Sequence, residues 1–98
     1  MANKVISSST IKTVMNGGRS ITVKYATETD SWKRHNLTTD TQDKFAKAME
    51  KADVPAGATT AIMTETEHPS QKDSYPHFTT VYQDDNGKHI TTKHVSPQ

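Results

Sequence analysis

The sequence predicts an α+β domain. Its core feature is an antiparallel sheet of four to six short strands with one helix, about residues 40–53, packed on one face. Three observations carry this. Apolar and polar residues alternate on both sides of two glycine-bearing turns, one near each end of the chain. A single stretch between them has the apolar period of a helix. And 16 of the 98 residues are threonine, against one leucine. Threonine is β-branched and stiff at χ1, so it suits the polar side of a strand better than a helix or a coil.

Residues 1–9 show no period and contain Ser7-Ser8-Ser9. They read as a flexible arm or a frayed first strand. From Ile11 to Met15, apolar residues alternate, and Ile21, Val23 and Tyr25 alternate with Ser20, Thr22 and Lys24. Asn16-Gly17-Gly18 between them tolerates the positive φ of a hairpin turn. A three-residue loop, with Gly18 left-handed as a bulge, sets Thr13 opposite Ile21 and Ile11 opposite Val23. That register gathers Ile11, Met15, Ile21, Val23 and Tyr25 on one face, and a one-residue slip scatters them.

Trp32–Leu37 is a weakly patterned third strand. The helix follows, entered through a Thr39/Gln42 capping box. Phe45, Ala48, Met49 and Ala52 fall at i, i+3, i+4 and i+7, with Lys44, Lys47, Glu50 and Lys51 off that stripe. Pro55 and Gly57 end it. Ala58–Glu67 is a further strand candidate around Ile62, and His68–Pro76 a polar loop. Phe78, Thr80 and Tyr82 alternate up to Asp84-Asp85-Asn86-Gly87, a type I turn closed by glycine. The return strand then places Ile90 opposite Tyr82 and His94 opposite Phe78. Gly18–Tyr25 and Gly87–His94 share a pattern, which fits either an internal duplication around the helix or the shared turn chemistry of two threonine-rich hairpins.

The length fits one domain, residues 1–98. Twelve basic and eleven acidic residues nearly cancel, and only 31% of the chain is hydrophobic. With no cysteine, disulfides, thiolate metal sites and cysteine nucleophiles are excluded. No apolar run reaches a membrane-spanning or signal-peptide length, so a cytoplasmic protein is expected. The Asn36-Leu37-Thr38 sequon therefore reads as unused.

The five histidines, His35, His68, His77, His89 and His94, have no zinc spacing. In the expected register His94 diverges from His77 and His89, so no metal and no cofactor is expected. No nucleophile elbow or phosphate-cradling loop is present. Asp84–Gly87 lacks the glutamate that would complete a calcium loop. Arg19, Lys24, Lys33 and Arg34, with Tyr25 and Trp32 nearby, are the residues a nucleic-acid interface would use, though no basic run or recognition motif frames them.

The reading that remains is a non-catalytic binding protein acting through protein–protein contacts, as a homodimer. Small accessory and inhibitory proteins of phages and mobile elements have this character. A core this thin gains from a second copy over its free face or strand edge. The expected partner contacts are Trp32, Lys33, Arg34, Tyr75 and His77. The alternative is a nucleic-acid-binding module using basic strand residues; a small enzyme with a histidine site comes third.

Overall fold

The computed structural model describes residues 4–33, 37–67 and 77–95. The strands are β1 (Val5–Asn16), β2 (Arg19–Thr29), β3 (Thr60–Glu67), β4 (His77–Gln83) and β5 (His89–Val95), and the helix is α1 (Thr39–Met49). They form an α+β arrangement with one five-stranded sheet, ordered β1-β2-β3-β4-β5. β1 begins at Val5, and Ser7, Ser8 and Ser9 pair with β2, so the serine run is strand and not arm.

The sheet is mostly antiparallel, with one parallel pair, β2 with β3. This corrects the expected all-antiparallel sheet. α1 lies in the connection from β2 to β3, and such a crossover returns the chain to start the next strand in the same direction. β3 then sits between two neighbours, and Ala61, Ile62, Met63 and Thr64 are buried in succession. A strand covered on both faces reads this way.

Both hairpin registers differ by one residue from expectation. At the first turn Asn16 pairs with Arg19, leaving a two-residue loop in which Gly17 and Gly18 have φ of 58° and 86°. Two successive positive φ values make the type I′ turn, whose twist matches that of the strands. Val14 therefore faces Ile21 and is buried, while Met15 stays 58% exposed. A shift between Thr10 and Lys12 brings Ile11 back against the core. At the second turn Gln83 pairs with His89 as expected, but an irregularity at Ile90 puts Tyr82 opposite Thr91 and Phe78 opposite Val95.

The helix is shorter than expected, Thr39–Met49 in place of residues 40–53. Thr38, not Thr39, is the cap, and its hydroxyl accepts from the Thr41 N–H at 3.3 Å. At the other end the chain tightens into i→i+3 bonds, Glu50 N–H to Lys47 O and Lys51 N–H to Ala48 O. The Asn16 side chain, from the hairpin tip, donates to the carbonyls of Met49 (2.7 Å) and Ala52 (2.9 Å).

Phe45, Ala46, Ala48 and Met49 share the main core cluster with Ile21, Val23, Met63, Phe78 and Tyr82. Phe45 and Phe78 meet edge to face, with ring centroids 5.3 Å apart. A second, smaller cluster holds Ala26, Ile62 and Val81, with Val5 and Trp32 packed on it. The β2, β3 and β4 residues of this cluster are one position out of phase with those of the main core, so they lie on the other face. The expectation of one buried face is thus corrected: the sheet has apolar clusters on both.

Candidate binding groove

Of the five residues expected to touch a partner, the structure describes Trp32, Lys33 and the pairing of His77. Trp32 is half-buried on the second cluster. It is brought there by a turn. The Thr29 hydroxyl accepts from the Ser31 and Trp32 N–H groups, and the Thr29 N–H donates to the Trp32 carbonyl at 2.8 Å. Of the expected third strand, Trp32–Leu37, the described residues are Trp32, Lys33 and Leu37; the only ladder pairing among them is the isolated bridge of Lys33 to Glu28, and the Lys33 side chain is exposed. His77 opens β4 opposite Glu67. Arg34 and Tyr75 lie outside the described residues.

The basic strand residues Arg19 and Lys24 do not converge. The Arg19 guanidinium donates to the carbonyls of Val54 (3.0 Å) and Pro55 (3.3 Å), holding the loop after α1. Lys24 is on the face opposite Val23 and Tyr25.

A different constellation is assembled between α1 and β5. The α1 backbone runs closest to β1 and β2. A cavity of about 460 Å³ lies between α1 and β5. Lys44 and Lys47 line it from the helix, Lys51 from the turn that follows, and Lys93 from β5. Its apolar lining includes Ala48, Ala52, Tyr82 and Val95.

Two of the four lysines are neutralised locally. Lys44 pairs with Asp40 at 3.1 Å, one helical turn away. Lys93 reaches Asp53, at 3.5 Å from its carboxylate and 3.1 Å from its carbonyl. Both pairs are open to solvent, with at least one partner mostly exposed, so each contributes little. Among the described residues Lys47 and Lys51 have no ion-pair partner. With Asp53 and His94 completing the lining, the groove has a mainly cationic rim on an apolar floor.

Tyr82 lies fully buried in this wall, and its hydroxyl donates weakly to the Met49 sulfur at 3.8 Å. Burial, and then the Asp53 carboxylate, push its pKa up to about 12. The phenol is a neutral structural group at ordinary pH.

The signal for these lysines was in the sequence. Positions 44, 47 and 51 are spaced three and four apart and make one stripe beside Ala48 and Ala52. Lys93 joins them only through the register of β5, which turns on the irregularity at Ile90. The same irregularity brings His89 and His94 into phase with Thr92, and His89 Nε2 lies 2.9 Å from the Thr92 hydroxyl. His94 is opposite Thr79, not Phe78. No group of three His, Asp or Glu side chains among the described residues could hold a metal ion. No described helix is long and apolar enough to cross a membrane. No protein-family model, curated protein or solved structure matches the chain.

Proposed function

We propose that the chain is a non-catalytic binding protein that works through protein–protein contacts, and that it takes an acidic partner in the groove between α1 and β5. In this reading α1 covers one face of the sheet and leaves its β5 side open. One observation carries the proposal: four lysines, two of them without an ion-pair partner among the described residues, line a cavity with an apolar floor beside a sheet edge. An apolar centre with a charged rim is the anatomy of a protein contact. A homodimer belongs to the proposal, but not through β5, where the lysines of two copies would face each other. An accessory or inhibitory role in the cytoplasm, of phage or mobile-element type, is supported only by the small size and the lack of catalytic motifs.

The test is a titration with a labelled poly-glutamate peptide, using K47E/K51E and, as a control on the other face, K24E. Wild type and K24E should bind alike, more weakly as salt rises. The double reversal should weaken binding about tenfold or more, as expected for losing about 1.4 kcal/mol. Equal binding by all three rejects the groove. Tighter binding of an oligonucleotide than of the peptide favours the nucleic-acid reading instead. Sedimentation of wild type as a strict monomer at high concentration removes the dimer.

A further inference from the structure

β5 is the last strand of the sheet, and among the described residues only β4 pairs with it. Its last residues, Lys93, His94 and Val95, line the lysine groove. An open edge is a template for another strand, and proteins guard such edges with lysine or proline. β5 has no proline between His89 and Val95, and it carries Lys93 on the α1 side. That guard works by charge. It opposes a second copy of this edge, which brings the same lysines, and it favours a segment carrying carboxylates.

Resting on the proposed function, we infer that the acidic partner enters as an extended segment that adds to β5 as a sixth strand. The register says what such a segment must look like. Lys93 and Val95 pair with Thr80 and Phe78, on the α1 face, while Thr92 and His94 pair with Val81 and Thr79, on the other. Side chains of an added strand alternate in the same way. Those on the α1 side meet Lys44, Lys47, Lys51 and Lys93. Those on the other side meet Thr92 and His94. The segment is therefore acidic at every second position, and the residues between are small polar or β-branched. Main-chain hydrogen bonds supply affinity and the alternation supplies selectivity, as in other strand additions.

Three synthetic peptides of equal composition and length test this on the intact chain. In one, Glu and Thr alternate; in the second, the same residues are grouped in blocks; the third is the alternating peptide with every second amide N-methylated. The alternating peptide should bind about tenfold tighter than the block peptide. N-methylation should abolish the difference, because it removes donors without touching charge. Amide exchange of β5 should slow when the alternating peptide is bound. If alternating and block peptides bind equally, and K47E/K51E still weakens both, strand addition is overturned while the groove stands. If K47E/K51E leaves binding unchanged, the groove proposal fails first.

Discussion

Tyr82 ties the core to the groove through one atom. Its ring is in the main cluster and its hydroxyl is beside Met49 and within the field of Asp53. The folded chain holds the phenol neutral up to about pH 12, whereas an unfolded chain ionises it near 10.0. A group whose folded pKa is raised contributes stability that is complete below the unfolded value and is lost as pH climbs through the folded one. Tyr82 therefore destabilises the fold progressively between pH 10 and pH 12. Tyr82→Phe keeps the ring and removes the titration. Near neutral pH it should cost less than about 1 kcal/mol, because an O–H···S contact is weak. Denaturant melts of both proteins across the alkaline range check this. Wild type should fall toward the variant or below it as pH rises, and parallel curves would show that Tyr82 is not the titrating group.

At the scale of elements, the tip of the β1–β2 hairpin is coupled to the end of α1. Asn16 donates to Met49 and Ala52, and Arg19 to Val54 and Pro55, so four carbonyls of the helix end and the following loop are satisfied from the hairpin. The last carbonyls of a helix have no partner within it, and such groups need one when buried. Asn16→Ala removes both of its bonds and should cost about 1–2 kcal/mol. In a chain of 98 residues that is a fall in Tm of roughly 4–16 °C. An unchanged Tm would mean that water replaces the amide at no cost. This coupling also marks what was readable. The stripe of Phe45, Ala48 and Met49 needs only local spacing, and it is buried as expected. The end of α1 coincides with a side chain 33 positions away, which no local pattern reports. Asn16-Gly17-Gly18 permits a two- or a three-residue loop, so sequence alone could not choose between burying Val14 and burying Met15. The parallel pairing of β3 is hidden for the same reason: it depends on which strand the chain returns beside.

Over the whole molecule, charge and packing are each distributed in ways that composition hides. The net charge is only +1, yet Lys44, Lys47, Lys51 and Lys93 line one groove. The helical spacing of the first three was legible, and their meeting with β5 was not, because it needed both the crossover and the irregularity at Ile90. The thin apolar content suggests one buried face in want of a partner. It serves two faces instead, and buried Thr29, Thr64, Thr79 and Thr80 share the interior with it. The two clusters draw on the same strands: β2 supplies Val23 and Ala26, β3 supplies Met63 and Ile62, and β4 supplies Tyr82 and Val81. Neither face can lose its packing while these strands stay rigid for the other, so the sheet should melt as one unit. Trp32 is the sole tryptophan and reports on the second face. Phe45, Phe78 and Tyr82 belong to the first, and α1 contributes the helical signal in the far ultraviolet. Tryptophan fluorescence and circular dichroism should therefore give transitions that coincide within about 2 °C, with equal calorimetric and van't Hoff enthalpies. A fluorescence transition well below the dichroic one would mean that the Thr29–Trp32 turn lifts off on its own. The second cluster would then be a detachable lid, and the stability of the sheet would rest on the face shared with α1.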